Sequence, residues 1–235
     1  QPLITRLQEQ NRTIRTQLSE LSTRQREFDA ITENMREGFL IVDNKCSILS
    51  SNRSALRLLG IRDVIEVSSG VKTGLNIRSE QPRQVGSDRV AAAVAARAKG
   101  KLPCVAITLG TATTFTALDG SGALVGSAIT AGVQLSLLAL REQAAQLPAV
   151  AIDAKDEGIL ARNTVDAMRV GAVYGAASLV DGMVERFAEA LGETPYVVLT
   201  GELAPLVTPY LRIPFEYDES LVLDGLHLIW KKNRG

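Results

Sequence analysis

Residues 105–132 read VAITLGTATTFTALDGSGALVGSAITAG, a block with a single carboxylate, Asp119. Val105, Ile107 and Leu109 alternate along the chain as one face of a buried strand does, and the run ends at Gly110-Thr111. It resumes through Thr113, Phe115 and Ala117 to Asp119-Gly120-Ser121-Gly122, which has turn chemistry. Two central strands joined by a tight turn are therefore expected. Glycine lets a backbone approach a ligand, and clustered hydroxyls with N–H groups suit phosphate oxygens, which would make this a phosphate-facing hairpin. The same residues fit a threonine-rich hairpin without a ligand, because Thr is a good strand former. On the motif alone both readings stand.

The chain has 235 residues, and its 46% hydrophobic content can fill a core. With 26 basic and 26 acidic side chains there is no net field to draw nucleic acid or an anionic membrane, so neither is expected as a partner. Cys46 and Cys104 lie outside any C-x-x-C spacing, and the first residues do not show a charged stretch followed by an apolar run. A cytoplasmic protein is expected. Residues 120–140 are uncharged and nearly long enough to span a bilayer, but they are rich in Gly, Ser and Thr, contain Gln134 and lack aromatic anchors. They read as strand, loop and buried helix.

Toward the start, Leu7, Ile14, Leu21, Phe28 and Met35 recur every seventh residue, with Ile4 and Leu18 between them. Residues 1–36 should form a heptad helix of the signalling type. Asn11, Gln25 and Thr32 interrupt the seam, so a parallel dimer and a simple amphipathic helix both fit. Residues 38–43 and 46–50 then read as two strands around Asn44-Lys45, followed by a short helix over 52–59 stopped by Gly60. The stretches MREGFLIVDN and NRSALRLLG resemble the opening of a PAS sensor domain. No further series of strands follows to close such a sheet, so 37–60 reads as a partial PAS-like segment.

Past Gly60, the punctuation at 81–89 opens an Ala-rich helix over 90–99 ended by Gly100. Asp88 at its start can cap free N–H groups and interact with the helix dipole. It can equally serve as a general base, with Arg89 holding a substrate carboxylate. A helix over 133–146 and a strand over 150–152 are expected next. The longest helix begins at Asn163 or Thr164 and carries Met168, Ala172, Ala176, Leu179, Met183 and Phe187 at helical spacing. Gly171 and Gly175 on it would let another backbone of the same chain pack closely. A strand over 196–200, a short helix over 202–207 and an amphipathic helix over 220–232 complete the chain. His227 on the last helix has no second ligand or nucleophile near it in sequence and reads as structural.

Five motifs occur in one order: VKTGLNI at 71–77, GSDR at 86–89, GTATT at 110–114, RNT at 162–164 and GLHLIW at 225–230. On these, residues 64–233 resemble a type III pantothenate kinase. The resemblance implies an α/β fold, the C-terminal lobe of an acetate and sugar kinase/actin-like (ribonuclease H-like) architecture, here preceded by a long helix and a partial PAS-like β-hairpin. It divides the chain into a helix at 1–36, the PAS-like segment at 37–60 and the kinase-like domain at 64–235. The activity it implies is phosphorylation of pantothenate by ATP, the first step of coenzyme A biosynthesis. Mg²⁺, a monovalent cation (K⁺ or NH₄⁺) and a homodimer go with it. By the same resemblance Asp88 takes the position of the catalytic base, and Gly86, Arg89 and Thr164 would contact pantothenate. Gly110, Thr111 and Thr113 would line the nucleotide phosphates, with Gly201 on the adenine side.

The sequence also departs from the family pattern. The family's D-x-G-N-T phosphate loop has no counterpart in it. Where the central hairpin of the family usually reads D-x-G-T-A-T-T-x-D, the two flanking carboxylates are Thr108 and Thr116 here. The T-G-G of the adenine side becomes Thr200-Gly201-Glu202, adding bulk and like charge where a backbone approaches a nucleotide. Two alternatives therefore stand beside an active kinase: an inactive pantothenate-binding or dimerisation module, and a PAS-containing signalling fusion.

Overall fold

The structure, a computed structural model, describes residues 37–38, 40–42, 48–61, 65, 67, 71–152 and 158–234. The heptad helix expected over 1–36 and the Asn44-Lys45 turn lie outside the described residues. The chain divides into two compact units, Gln1–Val64 and Ile65–Gly235. Among the described residues no helix is long and apolar enough to cross a membrane.

In the first unit, β1 (Leu40–Val42) pairs antiparallel with β2 (Ile48–Ser51), with a shift of register between Ile41 and Val42. A short helix, α1 (Arg53–Leu58), follows. Asn52 is buried and bonds in two directions: its Oδ1 accepts from Ala55 N at 2.9 Å, and its Nδ2 donates to the Glu37 carbonyl at 2.9 Å. The first bond is an N-cap of the kind that contributes about 1 kcal/mol.

The second unit is an α/β domain on a mixed sheet. In chain order it holds α2 (Ser87–Ala98), β3 (Cys104–Leu109), β4 (Ala112–Leu118), β5 (Leu124–Ala131), α3 (Val133–Gln143) and α4 (Thr164–Leu191). Then come β6 (Tyr196–Thr200), α5 (Ala204–Val207), β7 (Glu216–Tyr217) and α6 (Leu221–Arg234). The sheet order is β5-β4-β3-β6-β7. β3, β4 and β5 form an antiparallel meander, whereas β6 runs parallel to β3 and β7 parallel to β6. The parallel pairing of β3 with β6 requires a long crossover, which α3 and α4 provide.

Alternation along the central strands sends side chains into two cores. Val105, Ile107, Leu109, Phe115, Val197 and Leu199 pack against Val180 and Val184 of α4 and Val207 of α5. Each such large apolar side chain contributes about 1.5–3 kcal/mol on full burial. Cys104, Ala106, Leu118 and Val198 face the other way, onto the alanines of α2 and Leu221 of α6. Why α2 is built of alanines follows from this layer. A Cβ on Gly225 of α6 would stand 1.9 Å from the Ala91 carbonyl oxygen, so the two helices meet backbone to backbone and larger side chains would force them apart.

Several expectations are corrected. Residues 150–152 form no strand: the Ala151 carbonyl accepts from Arg169 Nε at 3.1 Å and Ile152 packs on the core, so the apolar triplet anchors a loop. α3 ends at Gln143, three residues earlier than expected. Nothing lies within 4 Å of a Cβ placed on Gly171 or Gly175, so among the described residues no backbone packs against them. Asp88 makes no side-chain cap: the N-cap of α2 is Gly86, and Asp88 sits in the first turn. Asn163 caps α4, its Oδ1 accepting from Asp166 N at 3.0 Å.

Candidate functional site

Two glycine turns stand side by side at the carboxyl ends of the parallel strands β3 and β6, where open α/β sheets bind their ligands. After β3, Gly110 N donates to the Ala112 carbonyl at 3.2 Å and Gly132 N donates to the Thr111 carbonyl at 3.0 Å. A Cβ on Gly132 would lie 2.1 Å from the Gly110 oxygen, so the start of α3 presses directly on this turn. After β6, Gly201 has φ +112°, and a Cβ on it would lie 2.3 Å from the Leu109 oxygen. Leu203 N donates to the same oxygen at 3.1 Å. Backbone contact of this closeness explains why both positions are glycine. Glu202 next to it is exposed.

The threonines of the hairpin divide by geometry. Thr111 is exposed in the turn, whereas Thr113 is 3% exposed inside β4 and shares parity with Phe115, toward the α4 layer. Thr114 and Thr116 are buried on the opposite face. Register places Thr200, Thr108 and Thr114 in one row across β6, β3 and β4, and Thr116 beside Ser127 in the next. These five hydroxyls share the face that looks toward α2 and α6.

Onto that face α2 delivers a cation: Arg89 Nη1 donates to Ser127 Oγ at 3.0 Å. Asp88 precedes it, exposed, with Oδ1 2.5 Å from where a Cβ on Gly86 would stand, so the carboxylate folds back over the glycine. Beside this turn lies a cavity of about 580 Å³ whose lining includes Val71, Thr73, Ile77, Pro82, Val85 and Ser87. The structure thus groups Gly86, Asp88 and Arg89 on the α2 side. Thr164 is exposed at the start of α4, the helix layer on the other side of the sheet, and lines a separate cavity of about 330 Å³ with Leu137, Leu140, Met168 and Gly171. Ser127 joins this group through its register opposite Thr116, which the sequence alone does not give.

Electrostatics elsewhere serve the scaffold. The Asp119 carboxylate accepts from Ser121 Oγ, Ala123 N and Ser121 N and pairs with Arg78 at 3.0 Å, and these bonds hold it below the usual carboxylate range. Lys99, at the end of α2, bridges Glu216 at 2.8 Å and Asp218 at 2.6 Å, and its ammonium is held well above the usual range chiefly by the Asp218 bond. Glu216 falls to about 2 under its bonds from Lys99 and Tyr196. His227 is exposed on α6, its ring stacked 6.0 Å from that of Trp230.

For a cation the donor set is poor. Among the described residues no three His, Cys, Asp or Glu side chains gather in a group able to hold a metal. Neutral hydroxyls at Thr108 and Thr116, with a guanidinium beside Ser127, do not fit a monovalent cation.

Fold and site together define a three-layer α/β domain with two glycine turns at the sheet's end and an Asp-Arg helix start on one face. The chain belongs to the type III pantothenate kinase family, whose sequence signature matches residues 9–186. It is 44% identical over 168 residues to the type III pantothenate kinase of Pelobacter propionicus, covering 72% of this chain and 66% of that protein. With the enzyme of Anaeromyxobacter sp. strain Fw109-5 the identity is 43% over the same shares, and with that of Geotalea daltonii it is 40%, covering 72% and 65%. The chain thus spans about two thirds of the length of these relatives, and the matched signature runs across the whole PAS-like segment at 37–60 and back into the helix expected at 1–36.

Proposed function

We propose that this chain binds pantothenate and acts in its ATP-dependent phosphorylation, the first step of coenzyme A biosynthesis, in the cytoplasm. The observation that carries the reading is the Asp88-Arg89 pair at the first turn of α2, beside a cavity and over a hydroxyl-lined sheet face, in a chain of this family. Arg89 would pair with the pantothenate carboxylate, and Gly86 would leave room for the ligand. Asp88 would accept the proton of the hydroxyl as its oxygen bonds to the γ-phosphorus, while ADP departs with the electrons of the broken P–O bond. Gly110 and Thr111 would face the phosphates, with Gly201 near the nucleotide. Mg²⁺, carried by the nucleotide, would supply charge neutralisation. The strand order, 3-2-1-4-5 when counted along the second unit, supports the acetate and sugar kinase/actin-like reading.

The test is calorimetric titration with pantothenate beside a coupled assay of ATP consumption. Asp88→Asn should retain binding and lower any turnover by about 10²–10⁴, the usual contribution of a general base. Absence of pantothenate binding by the unmodified chain would overturn the reading. A second reading, binding without turnover, is favoured by Thr108, Thr116 and Glu202, and the same assay separates the two.

A homodimer through α4 is part of the proposal. Gly171, Gly175 and Ser178 are exposed along that helix, beside Leu135 and Leu138 of α3 at 40% and 44% exposure. Small residues at this spacing let a second helix approach closely, so Gly175→Leu should shift sedimentation toward monomer. We also retain 37–60 as a partial PAS-like segment, supported by the β1–β2 hairpin and the capped α1. A helix at 1–36 and a kinase-like domain at 64–235 complete the proposed organisation.

A further inference from the structure

We infer that this chain takes its anionic substrate without a monovalent cation at the sheet face under α2. The inference rests on the proposed function and narrows it. A monovalent cation is held where several oxygens, carboxylate or carbonyl, converge in place of its hydration shell with no fixed positive charge beside them. Here the candidate positions are Thr108 and Thr116, whose side chains share a face with Thr114, Thr200 and Ser127. All five bring neutral hydroxyls. Thr116 is 1% exposed and Thr200 2%, which leaves little room for an ion to keep its own waters.

The side chain of α2 that bonds to this face is a cation. Arg89 Nη1 lies 3.0 Å from Ser127 Oγ, and Ser127 is the register partner of Thr116, so the guanidinium stands over the position where a cation would need a carboxylate. A cation bound beside it would be repelled by the guanidinium, since like charges repel. A guanidinium fixed in this way supplies the compensation for an incoming carboxylate or phosphate that an ion would otherwise supply. The substitution of carboxylates by Thr108 and Thr116 therefore leaves a face already balanced for an anion.

The experiment measures pantothenate affinity of the full chain by calorimetry in potassium, ammonium and tetramethylammonium chloride at matched ionic strength. Melting temperature without pantothenate is recorded in the same salts. The expected result is one dissociation constant within about twofold across the three salts and no ion-specific rise in melting temperature, since a cation bound only to the native state would raise it. Affinity at least about tenfold weaker in tetramethylammonium than in potassium would overturn the inference while leaving the proposed function intact. If pantothenate fails to bind in every salt, the proposed function falls. The cation claim is then decided by melting alone: equal values uphold it, and a rise specific to potassium or ammonium overturns it.

Discussion

Arg89 on α2 reaches across to Ser127 on β5, Nη1 to Oγ at 3.0 Å, and ties the first turn of the helix to an edge strand of the sheet. Bonding to a neutral hydroxyl orients the guanidinium without neutralising it. That is the state in which an arginine recognises a carboxylate.

Arg89→Ala should therefore weaken pantothenate binding by about 10–100-fold, since a hydrogen bond to a charged group contributes about 1.5–3 kcal/mol. Ser127→Ala leaves the charge and removes only its tether, so a loss of about threefold or less is expected. Titration calorimetry on both variants checks the ranking. Equal losses would mean that Arg89 acts only through Ser127.

Glycine substitutions should separate packing from function. A Cβ on Gly132 would meet the Gly110 oxygen at 2.1 Å and the Thr111 oxygen at 2.6 Å, both backbone atoms that cannot swing away. Gly132→Ala should lower stability by at least about 2 kcal/mol in urea unfolding, a typical cost of overpacking. At Gly171 the space is open, and Ala in a helix interior is favoured over Gly by about 0.5–1 kcal/mol. Gly171→Ala should thus stabilise the monomeric chain slightly.

Much of the scaffold was legible because period and punctuation agreed. Val105, Ile107 and Leu109 alternate, Gly110-Thr111 interrupts, and the structure places β3 and β4 on either side of that pair. The strand over 196–200 and the helix under 164–191 likewise follow from uninterrupted patterns. What escaped depended on partners distant in sequence. β7 has two residues, too few to show a period, and exists because Val198 and Leu199 offer a free edge to Glu216 and Tyr217. Ile77 pairs with Leu124 as an isolated parallel bridge, which no local pattern announces. Val150-Ala151-Ile152 has the composition of a strand but pairs with no strand among the described residues. In the site, Asp88 and Arg89 stood out by motif, whereas Ser127 required register, and the burial of Thr113 required knowing which face of β4 meets α4.

Acid should act on the Lys99–Glu216–Asp218 cluster. The folded pKa of Glu216 is depressed from 4.5 to about 2, so its contribution to stability is present above the unfolded value and is lost as pH falls from about 4.5 through about 2. Lys99 is raised instead, so its share is present below its unfolded value of 10.5 and is lost only as pH rises through the folded value, in strong alkali. Thermal unfolding of the chain followed between pH 2 and 5 should show a steeper fall than that of Glu216→Gln. Identical slopes would show that the exposed carboxylate is screened by water and salt.

The last prediction concerns turnover. On the proposed reading Asp88 and Arg89 of α2 would receive pantothenate, while Thr108 and Thr116 stand where the family pattern has carboxylates and Glu202 follows the Gly201 turn. Phosphoryl transfer depends on positioned cations and donors around the γ-phosphate, and the chain contains no D-x-G-N-T stretch to cradle it. Pantothenate binding should therefore be measurable where pantothenate-dependent ATP consumption by residues 1–235 is at least about 10²-fold below that of a relative that carries the loop. Thr108→Asp with Thr116→Asp should not rescue turnover, because a restored carboxylate pair still leaves the γ-phosphate unsupported. Replacing residues 1–63 with the N-terminal lobe of a relative should raise it, since that lobe brings the phosphate loop to the Gly110-Thr111 turn. Coupled assays on the chain, the double variant and the chimera decide the matter. Robust turnover by the unmodified chain would show that the glycine turns and Arg89 suffice for phosphoryl transfer, and a rescue by the double variant would place the deficit at Thr108 and Thr116.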